Sequence, residues 1–344
     1  MSGTPLSIRQ LAAPTFVLAC TCAVAAARPS GVDVPGARAA ATLSVALPTR
    51  LAPGVDLLPG RFVPNVQPDG NTVVLRAPKG LIVVDTGRHP EHTQAILDLA
   101  ARGRARVAAV VNTHWHLDHV GGNPMLRKRY PEARVYASGA LAGALKGFLA
   151  DYRAQLQAMI DKTADARAQE PWRAELAIID SGPALGPDEV VAASGERTIA
   201  GRRLKLGLES HAVTAGDVWL FDPGTRVLAA GDLVTLPVPF FDTACPSGWQ
   251  AALGNLDAID FALLVPGHGA PMERKQFETY RSAFDRLLSC AASQREREEC
   301  IAGWVRDAAT LLTTEDPAFV RSLTGYYVDQ LRADPARLAR LCAG

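Results

Sequence analysis

With 344 residues, the chain can bury a sizeable core and could form one large domain or two smaller ones. Its 36 basic and 35 acidic side chains nearly cancel, and no long run of one sign occurs. That balance excludes the concentrated basic face needed to bind nucleic acid or an acidic membrane surface.

The first 27 residues follow the pattern of an export signal. Arg9 is the only early charge, Leu11 to Ala27 is uncharged and mostly apolar, and small residues at Ala25 and Ala27 suit cleavage after Ala27. The run is short and carries Pro14, so no stable membrane insertion is expected once the signal is cut. Residues 28–50, rich in Ala, Pro and Gly, read as a linker. A periplasmic or secreted protein is therefore expected. Four cysteines would remain, Cys245, Cys290, Cys300 and Cys342, and an exported chain can pair them in three ways. Cys290 ends one helical stripe and Cys300 begins the next, so two antiparallel helices could bring this pair within bridging distance.

From about residue 51, short β-branched runs alternate with turn residues. Strands are expected at 71–75, 81–85 and 107–113, with a helix over 91–101 between the last two. The third strand runs directly into "NTHWHLDHVGGN", which holds three of the seven histidines. Residues 139–182 look helical, with Tyr152, Leu156, Met159 and Ile160 as a core stripe. A second β-rich half follows at 203–210, 218–221 and 226–232, and the strand 261–269 ends in "PGHG". Beyond Pro271 the periodicity is helical: Phe277, Tyr280, Phe284, Leu287 and Leu288 form one stripe, and Trp304, Ala308, Leu311 and Leu312 another. These elements describe an αβ/βα sandwich over 51–270, with a helical insertion and a helical C-terminal extension over 271–344.

His114 and His116, two residues apart, project to the same side of an extended loop and can clasp one ion. Asp118 and His119 can turn towards a second. Asp232 in "AAGD" and His268 in "PGHG" are strand-end candidates from the other half. Ligands of this type without thiolate suit zinc best, with iron or manganese next. His89 and His92, in "GRHPEH", read as ordinary loop residues.

The order "THWHLDH", "AGD", "PGHG" resembles the metallo-β-lactamase superfamily of binuclear metallohydrolases, and "DTG" at 85–87 fits the same pattern. Among its members the chain looks closer to exported metallohydrolases of unassigned substrate than to antibiotic hydrolases. The resemblance implies a four-layer αβ/βα fold. It also implies that His114 and His116 hold metal 1, that Asp118, His119 and His268 hold metal 2, and that Asp232 bridges them.

One position departs from the pattern. The family's third metal-1 histidine lies in a segment like "HTxGD", whereas "ESHAVTAGDV" places Val213 in that slot. His211 lies two residues earlier, on the same strand face but displaced by roughly 6–7 Å. Either a local bulge lets His211 reach the ion, or metal 1 lacks a protein ligand and one zinc binds instead of two.

A shared hydroxide between two zinc ions would hydrolyse an ester, thioester, lactone or amide of a small-molecule substrate, with Asp118 orienting the nucleophile. The alternatives are a mononuclear iron enzyme of the sulfur-dioxygenase kind and a metal-poor binding protein. No Lys or Arg occurs between Arg226 and Arg274. Phe240, Phe241 and Trp249, in this uncharged segment, either line the pocket or pack beneath the loop.

Overall fold

The computed structural model describes residues 47–61 and 67–343, so the expected signal and most of the linker lie outside the described residues. Two mixed sheets face each other. The first contains β1 (Thr49–Ala52), β2 (Val55–Leu58), β3 (Thr72–Ala77), β4 (Gly80–Val84), β5 (Val107–Val111), β6 (Arg134–Ala137) and β7 (Glu189–Val190), in sequence order. Pairing is antiparallel from β1 to β4 and parallel from β4 to β7. The second sheet contains β8 (Gly195–Ile199), β9 (Arg202–Glu209), β10 (Asp217–Asp222), β11 (Val227–Thr235) and β12 (Leu263–His268). Only its β11–β12 pair is parallel.

Alternation along the strands builds the layers. Val73, Leu75, Ile82 and Val84 face Leu204, Leu206, Val218 and Leu220 between the sheets. Their neighbours Val74, Leu81 and Val83 point outward and are covered by α1 (Pro90–Arg102), through Ile96 and Ala100, and by a leucine of a later helix, Leu126. A strand buried on both faces reads as a continuous apolar run, as "LIVV" does. Helices α2 (Leu117–Val120) and α3 (Asn123–Arg129) follow β5, and α3 supplies Leu126. The insertion forms α4 (Leu141–Ala144), α5 (Phe148–Lys162) and α6 (Ala166–Asp180). Its Leu149, Leu156, Ile160, Leu176 and Ile179 pack with Trp115 and Leu117 of the histidine loop.

The outer face of the second sheet is covered by α7 (Pro246–Asp257), α8 (Arg274–Ala291), α9 (Arg297–Asp307) and α10 (Pro317–Ala333), with α11 (Pro335–Ala343) following. Glu273 and Gln276 make reciprocal side-chain bonds at the start of α8, a capping box. Phe277, Tyr280, Phe284 and Leu287, the expected stripe, are buried in one core with Phe241, Trp249 and Trp304. Among the described residues no helix is long and apolar enough to cross a membrane.

Two disulfides tie these helices. Cys290 and Cys300 join α8 to α9, with Cα atoms 5.5 Å apart. Cys245 and Cys342 join the start of α7 to α11, across a sequence separation of 97 residues. The chain-entropy view of crosslinks makes the longer loop the more stabilising. Replacing Cys342 by Ser should therefore lower the unfolding free energy by about 2–4 kcal/mol. Replacing Cys290 by Ser should cost less, because its bridge spans only 10 residues. Denaturant unfolding of both variants under oxidising conditions tests the ranking, and the reverse order would refute it.

Candidate metal centre

Strand β4 ends at Val84, and the next residue, Asp85, turns the chain with φ 61°. Its buried carboxylate accepts from the Thr113 backbone N–H at 2.8 Å, the Thr113 hydroxyl at 2.7 Å and His119 Nδ1 at 2.8 Å. Thr113 Oγ1 has given its proton to Asp85, so it accepts from His114 Nδ1 at 3.0 Å. Nδ1 of each ring is thereby committed, and Nε2 is the nitrogen turned towards the cluster, the one that can ligate a metal once it carries no proton.

Further bonds fix the loop itself. Asn112 and Asn123 pair through their amides, and the His119 carbonyl accepts from the Asn112 amide and the Thr86 backbone N–H. From the second sheet come Asp232, within β11 just after Gly231, and His268, the last residue of β12. Two glycines make the convergence possible. A Cβ on Gly267 would lie 1.9 Å from Asp232 Oδ1, and one on Gly70 would lie 2.4 Å from the His119 ring.

The structure brings five expected residues together in the interior: His114, Asp118, His119, Asp232 and His268. His119 Nε2 lies 3.3 Å from Asp232 Oδ1 and 3.6 Å from Asp118 Oδ2. His268 Nε2 lies 2.9 Å from Asp118 Oδ2 and 3.6 Å from Asp232 Oδ1, while His114 Nε2 lies 3.7 Å from Asp232 Oδ2. No hydrogen bond of good geometry satisfies His114 Nε2, His119 Nε2 or Asp232 Oδ1, although all three atoms are buried. Buried polar atoms are costly without partners, so converging donors of this kind fit a cation.

His116 and His211 join neither ligand group among the described residues. His116 stacks edgewise near His114, but its Nε2 meets the Thr243 hydroxyl at 2.9 Å. Strand β9 stops at Glu209, and His211 sits in a turn at φ 55°, half-buried, with its carbonyl against Gly248. Val213 is fully buried in the apolar core. His89 pairs with Asp69 at 2.9 Å and His92 with Thr72 at 2.8 Å, so both serve the loop around them.

Charge is arranged around this cluster. Burial raises the Asp118 and Asp232 carboxyls, but neighbouring histidines, and Arg88 for Asp118, outweigh it and hold both well below the usual range. Burial pushes His114 well down, so it is neutral and able to ligate. Burial also works against a charged His119, but Asp232, Asp118 and Asp85 hold its pKa well above the ordinary value. Arg88 is a site residue that motif reasoning missed. It donates to Asp118 at 3.4 Å, also to Glu175 of α6, and to the Pro68 carbonyl at 3.2 Å. Its only signal in the sequence is its place directly after "DTG".

Aromatic rings border the centre. Phe240 lies 6.1 Å from His268, and Trp115 lies 4.6 Å from His116 and 5.5 Å from Phe148, centroid to centroid. Phe241 and Trp249 instead stack in the core, 5.9 and 5.0 Å from Phe284.

The metallo-beta-lactamase superfamily matches residues 67–268, which span every element carrying these side chains. The chain belongs to the metallo-β-lactamase superfamily. It is 27% identical over 228 residues to a linear primary-alkylsulfatase of Pseudomonas sp., covering 59% of this chain and 42% of that protein. A hydroxyacylglutathione hydrolase of Synechococcus sp. is 49% identical over 49 residues, 14% of this chain and 19% of that one. The chain thus matches less than half the length of these relatives. A metallo-β-lactamase from Pontibacter korlensis shares the fold, with TM-score 0.52 and 19% identity over 69% of this chain and 98% of that one.

Two outcomes are expected from this metallo-β-lactamase centre. Asp85→Asn cannot accept all three bonds and should weaken zinc binding by about 10–100-fold, read by chelator competition. An unchanged affinity would rule out the orienting role of Asp85. A cation at His119 must displace the proton its carboxylate neighbours favour. Apparent zinc affinity should therefore fall with falling pH, about tenfold per unit for each proton displaced. Zinc affinity that is flat or rises between pH 8 and pH 6 contradicts this.

Proposed function

We propose that the chain is a metal-dependent hydrolase whose centre is held by His114, Asp118, His119, Asp232 and His268. The observation that carries this reading is the convergence of these five buried side chains, with His114 and His119 both turning Nε2 into the cluster while Nδ1 is committed elsewhere. A divalent ion bound there, zinc being the first choice for imidazole and carboxylate donors, supplies Lewis acidity that activates water near neutral pH. Asp118, kept ionised by its cationic neighbours, orients that water and takes its proton for transfer to the leaving group. Arg88 fixes the carboxylate of Asp118 from behind.

The proposed substrate is a small molecule with an apolar portion, cut at an ester, thioester, lactone or amide bond. Phe240 beside His268 and the Trp115–Phe148 pair beside His116 provide apolar walls. The segment 227–273 contributes no Lys or Arg to hold an acidic substrate group. The relatives named as a linear primary-alkylsulfatase and a hydroxyacylglutathione hydrolase support an ester-type bond. Two disulfides support an oxidising compartment, periplasmic or secreted.

The test is elemental analysis of purified protein together with lactone, thioester, alkyl ester, amide and β-lactam substrates, before and after chelation. Hydrolysis should disappear with the ion and return with added zinc. Asp118→Asn, which keeps shape but removes the charge, should lower turnover by roughly 100-fold or more while leaving the circular dichroism unchanged. Activity within threefold of the parent would sink the mechanism.

A further inference from the structure

His114 and His119 take their orienting partners from residues that follow β5 and β4, Thr113 and Asp85. His116 takes its partner from the opposite half, 127 positions along the chain: Nε2 meets Thr243 Oγ1 at 2.9 Å. The same hydroxyl lies 2.9 Å from the Val213 carbonyl. A carbonyl can only accept, so the Thr243 proton goes to Val213 and Oγ1 accepts Nε2–H from His116. Nδ1 is then the nitrogen of that ring able to ligate, beside His114, whose ring centroid is 4.5 Å away. A histidine ligand is ordinarily fixed in this way through its other nitrogen. Val213 brings no donor side chain to the centre, but its backbone carbonyl sets which nitrogen of His116 is available.

Thr243 is itself placed from outside the two-sheet frame. Asp242, the residue before it, accepts from the Tyr327 hydroxyl at 2.7 Å, the Tyr326 hydroxyl at 3.3 Å and Gln330 at 3.1 Å, all on α10. Arg337 of α11 donates to the backbone carbonyl of Asp242. On the other flank the Cys245 N–H donates to the Ala212 carbonyl at 2.8 Å. Consecutive side chains therefore grip two different bodies, Asp242 the C-terminal helices and Thr243 the histidine loop. Moving Asp242 would break three bonds to α10 at once. Both helices lie beyond residue 268, where the match to the superfamily ends.

We infer that Thr243 is the positioning residue for His116 and that Asp242 couples it to the C-terminal helices. Residues outside the family's matched region thereby set how firmly the histidine loop holds an ion. This rests on the metal-centre reading above and deepens it with two residues that lie in no ligand motif.

The experiment is to strip the full chain with chelator and titrate it with zinc sulfate against a competing chelator. Thr243→Val keeps the shape but removes the hydroxyl, and should weaken zinc binding about 10–100-fold. Thr243→Ser keeps the hydroxyl and should bind zinc like the parent. In a His116→Ala background, Thr243→Val should have no further effect, because no ring is left to orient. Asp242→Ala should also weaken zinc binding, by less than Thr243→Val, and should add nothing in the Thr243→Val background. Circular dichroism checks that each variant is folded, and Thr243→Ala serves as a second hydroxyl deletion. Parent-like affinity in Thr243→Val, or an equal loss with and without His116, would overturn the role of Thr243. An Asp242→Ala variant that binds zinc like the parent, or whose loss persists in the Thr243→Val background, would overturn the coupling to the helices. A folded parent that binds no zinc would overturn the metal-centre reading and this inference with it.

Discussion

The Asp85 carboxylate is the interaction on which the site depends. It is buried at the junction of β4 and the histidine loop and takes three donors from that loop. A buried carboxylate with fewer partners would cost several kcal/mol in unmet solvation. Here the donors are supplied by the parallel β4–β5 pairing, which brings Thr113 beside the end of β4. Through Thr113 and His119 the same carboxylate orients two imidazoles at once. The left-handed turn at Asp85 is tolerated because a short acidic side chain bonds locally in that conformation. Fold and ligand chemistry therefore meet in one side chain.

The apolar strands and the amphipathic C-terminal helices were legible from periodicity. So were five of the residues that converge, because the histidine motif and the strand ends "AGD" and "PGHG" are local patterns. Less visible were β1 "TRLA" and β6 "RVYA", which are four residues long and carry arginines. Such segments become strands through pairing with neighbours already in the sheet, and that partner is not written locally. Thr243 escaped for a similar reason: its contact with His116 spans 127 positions. The turn at His211 was hidden by backbone geometry. Counting strand faces assumes the strand continues, whereas β9 ends two residues earlier and the chain turns left-handed. The stacked burial of Phe241 and Trp249, as against the border position of Phe240, was likewise undecidable from a run of uncharged residues.

The surroundings of the cluster share out mechanical support unequally. On one side, Arg88 and Glu175 fasten Asp118 to the helical insertion, so α6 braces a carboxylate ligand through a buried ion pair. On the other, Arg337 of α11 donates to the backbone carbonyls of Phe241 and Asp242. Trp304 donates to the Pro237 carbonyl at 3.0 Å, so the same loop is also held from α9. Both appendages outside the two-sheet frame thus reach the centre through polar contacts, and neither is a passive cover.

The Cys245–Cys342 bridge has a consequence for how the molecule is assembled. Cys245 stands two residues after Thr243, while its partner lies 97 residues further along the chain. A growing or translocating chain can pair its strands and gather the histidines long before residue 342 emerges. The loop beneath the centre is not closed covalently until that late cysteine arrives and is oxidised. Sheet formation and covalent closure of that loop are therefore separate events, the second governed by thiol oxidation rather than by hydrophobic collapse.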